Sequence, residues 1–420
     1  MKVELISGRC EYFIEIPEKV DIEILNPLGH PVIPDVLNAF DEALSHPLNE
    51  ESLGKSLEHD CPERVAVVVA DDIRPEYCEI LLSSLFNRIL SASPGLQPQD
   101  ISILIDKGLR RRDSAPGIKA LFRRLTSLGG RVISHDSVLA HMVDFGITSR
   151  GTPVRVNTEF AEADFKIVFG QIYPHQLVGF TGGAACVAIG GFAAESIAHM
   201  NRLIAEESAM LGCLETNPVR DDLAEAGRMI GIDLAISLLL NPDNKMVGLL
   251  AGSPDAVLRT GERLCTEYFG VAIESRFDIV VIACGKEEIA LDRHMRQGLL
   301  VASQVVKEGG KVLILSGCSQ YIGEDIIFDY ICQSVSPEAL IADFKACEIR
   351  LSNWEADSLR GMFSDRESDL VVGFGQEVIR KCQFRAADAS AVVAEWVEAF
   401  DGRPRVAVIP DGSALFCYPA

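Results

Sequence analysis

The chain has few aromatic residues, and its basic residues are outnumbered by acidic ones. Aromatic side chains make up 7% of its 420 residues, and 39 lysines and arginines stand against 61 aspartates and glutamates, for a net charge of −22. This excess of negative charge argues against nucleic acid or an anionic membrane as the main partner. It does not argue against a small anionic substrate, because an acidic protein can hold an anion in a local cationic pocket.

Membrane, secretion and disulfide signals are also missing. No run of 18 apolar residues occurs, and residues 1–5 lack the apolar core of a secretory signal. The twelve cysteines form neither a CxxC pair nor a zinc-ligand spacing. We therefore expect a cytoplasmic protein with no membrane span, whose cysteines are reduced and largely buried.

Short apolar runs rich in valine and isoleucine recur, each followed by glycine or aspartate and then by a helical pattern. Such runs are typical of parallel strands that helices cover on both faces. They predict an α/β protein with two Rossmann-like domains, parallel sheets and a ligand cleft between the domains. The predicted strands lie at residues 65–70, 101–105, 165–169, 277–283, 311–316, 370–373 and 406–409.

The length of 420 residues exceeds that of one ordinary core. A span that reads as helix-rich, residues 193–272, separates the early strands from the later ones. We therefore predict an N-terminal domain over residues 1–273 and a C-terminal α/β domain over 274–399, with segment 400–420 returning to the N-terminal domain. The first sixty residues predict a small antiparallel hairpin and a short amphipathic helix.

Residues 170–184 form the segment richest in chemical groups. His175 follows the end of a predicted strand, where open α/β sheets bind their ligands. The small residues after it offer backbone N–H groups that side chains do not obstruct, which suits an anion such as phosphate. The alternative is a plain strand-to-helix turn with a surface histidine. The predicted cofactor-binding residues are Thr181, Gly182, Gly183 and Ala184.

Charged residues follow two other predicted strands. Asp71 and Arg74 come directly after the strand at 65–70, and together they could hold a hydroxyl and a carboxylate. The alternative for this segment is an ordinary helix start. Arg110 begins a run of three arginines after the strand at 101–105, and it is a candidate for binding substrate or for a solvated turn.

Together these segments resemble the nickel-pincer lactate racemase family, over most of the chain. Segment 71–75 is similar to the family's Asp-x-Thr-Arg-Pro motif, and 106–111 to its Ala-Thr-Gly-x-His-Arg motif. Segment 170–185 is similar to Gly-x-Ile-x-Pro-His followed by Gly-Phe-Ser-Gly-Gly-Ala-Lys. The resemblance implies a racemase or epimerase that moves the α-hydrogen of a 2-hydroxy acid as hydride to a nickel-bearing pyridinium nucleotide, while a histidine takes the hydroxyl proton.

The resemblance implies that His175 is one of two catalytic histidines and that Asp71 and Arg74 form a substrate-binding pair. Three other family positions differ. The second catalytic histidine is replaced by Arg110, the lysine that tethers the nucleotide by Ala185, and the nickel-binding histidine by Asn201. His199 lies two residues before Asn201, which on a helix points about 200° away, so we predict a surface or packing role for it. No residue is assigned to a metal.

The second domain departs from the family as well. The family has a Tyr-Gln-x-x-Lys stretch early in this domain, and residues 293–297 of this chain match it best. Arg293, His294 and Gln297 are therefore candidate substrate-binding residues, with an ordinary exposed helix as the alternative. The loop at 317–323 could line the same cleft or be a plain turn.

Three functions stay open at this point. The first is a racemase or epimerase of a 2-hydroxy acid whose nickel-pincer nucleotide is bound non-covalently or is absent. The second is a nickel-independent lactonase, lyase or stereospecific oxidoreductase acting on a sugar acid or another polyanion. The third is a binding protein without turnover. The expected partner is a small anionic substrate, and self-association into a homo-oligomer is left open.

Overall fold

The structure is a computed structural model. It describes residues 1–7, 10–70, 73–105, 123, 126–127, 129–175, 178–203, 211–213, 217–285, 298, 301–302, 304–316, 368–372, 389–412 and 415–420. Five predicted site residues and the loop at 317–323 lie outside them. These five are Asp71, Arg110, Arg293, His294 and Gln297.

Strands and helices alternate through much of the described chain. The strands are β1 (Lys2–Ser7), β2 (Cys10–Glu15), β3 (Asp21–Ile24), β4 (Val65–Val69), β5 (Ile101–Ile105), β6 (Arg131–Ser134), β7 (Met142–Ile147), β8 (Pro153–Asn157), β9 (Phe165–Gln171), β10 (Pro174–His175), β11 (Gly179–Phe180), β12 (Leu234–Leu240), β13 (Met246–Gly252), β14 (Gly270–Ile273), β15 (Phe277–Ala283), β16 (Val306–Ser316), β17 (Ser368–Val372), β18 (Arg405–Ile409) and β19 (Phe416–Pro419). The helices are α1 (Val36–Ser45), α2 (Leu53–Asp60), α3 (Pro75–Ala92), α4 (Thr158–Ala161), α5 (Ala185–Gly190), α6 (Ala194–Arg202), α7 (Pro218–Ile230), α8 (Pro254–Phe269) and α9 (Ala389–Ala399). Of these helices, none is both long enough and apolar enough to span a membrane.

The chain divides into two compact units. The central unit is His30–Cys265, and the terminal unit combines Met1–Gly29 with Thr266–Ala420. This division differs from the predicted one, which placed the first residues of the chain in the N-terminal domain. In this division segment 400–420 lies within the terminal unit, where β18 pairs in parallel with β15 and β3. Both ends of the chain therefore build one sheet.

The central unit contains a six-stranded sheet in the order β13-β12-β9-β4-β5-β6. All neighbours in it are parallel except β12 and β13, which form an antiparallel hairpin. Every residue of β4 and β5 is buried. Side chains of α1, α2 and α3 pack against one face of the sheet, where Phe40 and Phe86 are among the largest buried residues. Helices α4 and α5 contact β4 on the opposite face. This arrangement confirms the predicted α/β fold class with parallel sheets.

The terminal unit contains a five-stranded parallel sheet in the order β17-β16-β15-β18-β3. Its core joins side chains of β15, β16 and β18 to Trp396 of α9 and to Leu5 and Ile14 of the β1–β2 hairpin. The hairpin is antiparallel, as predicted for the first residues of the chain. The predicted amphipathic helix is α1, whose first turn is capped by Asp35 through the N–H of Asn38.

The prediction of a helix-rich span over residues 193–272 was wrong in one part. Strands β12 and β13 lie inside it, and every residue of β12 is buried. A continuous apolar run such as that of β12 carries no period that distinguishes a buried strand from a buried helix. The missed strands matter because their connecting turn belongs to the candidate site.

Candidate functional site

Three adjacent parallel strands, β4, β9 and β12, end at the same edge of the central sheet. Arg74 follows β4, His175 follows β9, and Asn244 lies in the turn that follows β12. The structure therefore brings the loops that carry Arg74 and His175 to one sheet edge, as the sequence predicted from its strand ends. Open α/β sheets bind their ligands at such an edge.

His175 is held in a small hairpin. It lies in β10 opposite Gly179 of β11, and its Nδ1 accepts a hydrogen bond from the N–H of Val178 at 3.4 Å. The ring of Tyr173 approaches it edge-on, with 6.2 Å between the ring centroids. Gly179 has a φ of +71°, and a Cβ there would collide with the carbonyl oxygen of Cys213. The imidazole is half-buried, so it can meet a ligand at the sheet edge.

Thr181 ties the base of this hairpin together. Its hydroxyl donates to the carbonyl oxygen of Gln171 at 2.8 Å and accepts from the N–H of Tyr173 at 3.0 Å, while its own N–H donates to the carbonyl oxygen of Tyr173. The side chain is 4% exposed. Its hydroxyl therefore stabilises the loop itself. The prediction of a contact with a cofactor then concerns the residues that follow Thr181.

Gly182 and Gly183 adopt conformations that favour glycine, with φ of +100° and +55°. A Cβ on Gly182 would collide with Ile172, and one on Gly183 would lie 2.8 Å from the carbonyl oxygen of Pro254. The diglycine thus allows the loop to pass close to its neighbours. The loop then enters α5, where the N–H of Cys186 donates to the carbonyl oxygen of Gly183 at 3.3 Å.

The backbone of this loop presents three N–H groups in a row. Within the described part of the chain, the N–H groups of Gly182, Gly183 and Ala184 have no hydrogen-bond acceptor. Their carbonyl groups, in contrast, accept bonds from the first residues of α5. Consecutive N–H groups at a glycine bend before a helix form a concavity that suits an anion. Anion binding by this loop stays a prediction.

Arg74 makes a contact that the sequence did not indicate. Its Nε and Nη2 both donate to Oδ1 of Asn244, at 2.9 and 2.7 Å. Tyr77, three residues further along, donates through its hydroxyl to the carbonyl oxygen of Asn244 at 3.3 Å. The signal was missed because β12 and β13 were interpreted as helix, so that the turn between them had no predicted place at the sheet edge.

His199 lies on α6 and bonds to a neighbouring loop. Its Nδ1 is 3.0 Å from Oγ1 of Thr152. Thr152 also donates through its N–H to Oγ1 of Thr148, which in turn bonds to the buried carboxylate of Asp222. These contacts fit the packing role predicted for His199. Among the residues that the structure describes, no three histidine, cysteine or acidic side chains are arranged to hold a metal ion.

His135 is a second histidine at the same sheet edge, and the sequence did not single it out. It follows β6 and is 2% exposed. Its Nε2 lies 2.9 Å from the carbonyl oxygen of Phe192, and its Nδ1 lies 3.1 Å from Nδ2 of Asn157. Because one partner is an acceptor and the other a donor, the neutral ring with its hydrogen on Nε2 satisfies both. Burial lowers the pKa of His135.

A buried ion pair joins α7 to α8 beside the diglycine loop. Nη1 of Arg220 lies 2.6 Å from Oε1 of Glu262, and both side chains are largely buried. Burial raises the pKa of Glu262 despite the nearby guanidinium. Gly261, next to it, has no room for a Cβ because Ile172 occupies the space. The pair therefore supports the helices against which the loop packs.

Comparison with known proteins shows that the chain is similar to lactate racemases. The family model for the lactate racemase N-terminal domain matches residues 8–212. Lactate racemase of Lactiplantibacillus plantarum is 24% identical over 353 residues, which cover 80% of this chain and 75% of that protein. The lactate racemase apoprotein of Thermoanaerobacterium thermosaccharolyticum superposes with a TM-score of 0.85 at 20% identity, covering 100% of both chains. A Thermotoga maritima protein gives a TM-score of 0.61 at 14% identity, covering 89% of this chain and 100% of its own. The two structural likenesses bear on the fold alone.

Proposed function

We propose that the chain racemises or epimerises a 2-hydroxy acid, because its residues 8–212 match the family model of the lactate racemase N-terminal domain and its sequence is similar to that of a lactate racemase. The observation that carries this proposal is the convergence at one sheet edge of an arginine loop after β4 and a histidine hairpin after β9. A 2-hydroxy acid offers a carboxylate for the arginine and a hydroxyl for the histidine.

Arg74 is proposed to bind the substrate carboxylate. Guanidinium matches the planar geometry of a carboxylate and stays charged at every physiological pH. Its half-buried side chain stands at the start of α3, where the chain turns away from the sheet edge. Asp71, three residues earlier, is proposed to accept the hydrogen bond of a substrate hydroxyl. The candidates Arg110, Arg293, His294 and Gln297 remain proposals for further contacts with the anion.

His175 is proposed to exchange the proton of the substrate hydroxyl. The bond that Nδ1 accepts from Val178 places the hydrogen of the neutral ring on Nε2. For Nε2 to accept a proton, the ring must adopt the other tautomer and release that bond. A neutral hydrogen bond contributes about 0.5–1.5 kcal/mol net, and this one is long at 3.4 Å, so the exchange is energetically accessible.

The residues of this chain fit the family's cofactor only in part. Ala185 offers a buried methyl group where a covalent tether needs an amine, and Asn201 stands where the family has its nickel-binding histidine. A lysine-tethered nucleotide with a histidine-bound nickel therefore does not fit these positions. The unpaired N–H groups of Gly182, Gly183 and Ala184 do fit a phosphate. We propose that a nickel-pincer nucleotide, if used, is held non-covalently there, where it would supply the hydride acceptor.

The first test measures turnover. Protein produced together with the cofactor-synthesis enzymes is incubated with single enantiomers of lactate, malate and gluconate, and the products are separated by chiral chromatography. We expect one acid to lose its configuration with time. The His175→Ala variant should fold normally and show a kcat about 10²–10⁴-fold lower, because that is the usual contribution of a positioned acid or base. Full activity in this variant would contradict the role of His175.

A second candidate function follows from the replacements at Arg110 and Ala185. A site with one histidine, several arginines and no tether also suits a nickel-independent lactonase, lyase or stereospecific oxidoreductase acting on a sugar acid. Metal analysis and native mass spectrometry of the same protein separate the two candidates. Turnover by protein that carries neither nickel nor nucleotide would favour the second candidate. Binding without any turnover would favour a binding protein.

A further inference from the structure

Hydrogen bonds within the turn between β12 and β13 fix the backbone around Asn244. Oδ1 of Asn241 accepts hydrogen bonds from the N–H groups of Asp243 at 3.1 Å and of Lys245 at 2.9 Å, and the carbonyl oxygen of Asn241 accepts from the N–H of Asn244 at 2.8 Å. Asn244 itself has a φ of +60°, a left-handed conformation that asparagine tolerates better than most residues. The turn therefore fixes the direction of the Asn244 side chain.

Asn244 meets the first turn of α3 at two points. Its Oδ1 accepts hydrogen bonds from both Nε and Nη2 of Arg74, and its backbone carbonyl oxygen accepts one from the hydroxyl of Tyr77. The Tyr77 hydroxyl also accepts the N–H of Met246 at 3.0 Å, which secures the far side of the turn. Two bonds to one oxygen define both the position and the plane of the guanidinium.

We propose that Asn244 is a positioning residue that orients Arg74 for the carboxylate of the substrate. The inference rests on the proposed function, because it takes Arg74 to be the carboxylate-binding residue. An arginine side chain that is already oriented loses less rotamer freedom when an anion binds. The acceptor is an amide oxygen, so the contact holds the guanidinium without adding negative charge beside it. An aspartate at this position would accept the same bonds and repel an incoming anion.

The first measurement reads the orientation without any substrate. In protein labelled with ¹⁵N at arginine side chains, the Nε–H of Arg74 should exchange slowly with water because it is bonded to Asn244, and the Arg74→Lys variant identifies its signal. The Asn244→Gly variant removes the side chain and keeps the left-handed backbone unstrained. We expect its Arg74 Nε–H to exchange at least about tenfold faster, the effect of losing one charge-assisted bond. An unchanged exchange rate would overturn the inference.

The second measurement reads the consequence for anion binding. Lactate, malate and gluconate are titrated against the wild type by calorimetry, and the acid that binds most tightly is used for the variants. We expect Asn244→Gly to weaken its affinity about tenfold. Asn244→Asp should keep the slow exchange of Arg74 and still weaken the affinity, by a factor that shrinks as salt screens the added charge.

The outcomes separate this inference from the proposed function. If Arg74→Ala leaves the affinity unchanged, or if no acid binds the wild type, the proposed function fails. If Arg74→Ala abolishes binding while Asn244→Gly binds as the wild type does, only the inference about Asn244 fails. A purely structural role for Asn244 predicts that Asn244→Gly lowers the free energy of unfolding, while the Arg74 Nε–H exchanges as slowly and the acid binds as tightly as in the wild type.

Discussion

At the scale of single residues, His135 is expected to make the stability of the fold depend on pH. Both of its ring nitrogens are engaged, by Phe192 and Asn157, and burial lowers its pKa from the ordinary value of a histidine. Since the folded state binds this proton less readily than the unfolded state, His135 contributes its full stabilisation above the ordinary histidine pKa of about 6.5. That stabilisation is lost as the pH falls below it.

We therefore expect the urea midpoint of the wild type to fall more between pH 7.5 and pH 5.5 than that of a His135→Gln variant, which carries no titrating ring. The variant should be less stable than the wild type at pH 7.5 because glutamine cannot satisfy both partners in the same geometry. A His59→Gln variant is the control, since His59 is exposed on α2. Equal pH dependence in the wild type and the His135→Gln variant would exclude the proposed linkage.

Local motifs were enough to indicate Arg74, His175 and the diglycine loop, because each lies directly after a recognisable strand. Asn244 and His135 could not be found in this way. Asn244 lies 170 residues from the arginine that it holds, and His135 lies 57 residues from the carbonyl group of Phe192. Their roles come from which strands are neighbours in the sheet, and strand order is not contained in the local pattern.

At the scale of elements, the diglycine loop shows how packing restricts the residues that a position can accept. Gly182 has a φ of +100° and no space for a Cβ beside Ile172. Gly231, which ends α7, also has a positive φ of +74°, but no atom lies within 4 Å of the place where its Cβ would be. The two glycines therefore share a positive φ and differ in packing.

We expect Gly231→Ala to lower the free energy of unfolding by about 1–2 kcal/mol, the cost of a left-handed backbone for a residue with a Cβ. Gly182→Ala should add an overpacking cost of about 1–3 kcal/mol to a similar strain. Chemical denaturation of the two variants measures the difference. Equal losses of stability would mean that Ile172 can move aside, and that the loop's contact with it is loose.

The elements themselves could be predicted where helical and extended segments alternate. Strands β4, β5 and β9 were predicted from short runs bounded by glycine or aspartate, and they form the centre of the observed sheet. Strands β12 and β13 were not, because they follow one another as a hairpin without an intervening helix. The alternation on which the prediction relied is absent there.

At the scale of the whole molecule, the terminal unit depends on both ends of the chain. Val408 of β18 accepts the N–H of Leu25, and Arg405 forms ion pairs with Glu23 and Asp21 of the β3 strand. The sequence could not show this pairing, because β3 is a four-residue strand with an acidic, partly exposed surface and no apolar run. Its place in the sheet is set by its distant partner.

Removal of residues 1–29 should therefore unfold the terminal unit. The deleted segment contributes six buried apolar side chains, each worth about 1.5–3 kcal/mol, against a typical total stability of about 5–15 kcal/mol. These side chains are Val3, Leu5, Ile14, Ile16, Val20 and Leu25. In hydrogen exchange of the truncated protein, we expect Ala389–Ala399 and Arg405–Ile409 to lose their protection.

A chain of residues 1–29 co-expressed with the truncated protein provides the control, since it supplies the same contacts without the covalent link. It should restore protection in β18 first, because β18 is the direct partner of β3. A version of that chain with Leu5→Asp and Ile14→Asp should fail to restore it, since it would bury charge against Trp396. Unchanged protection in the truncated protein alone would show that the terminal unit folds without residues 1–29. Those residues would then pack on the unit without being needed for its stability.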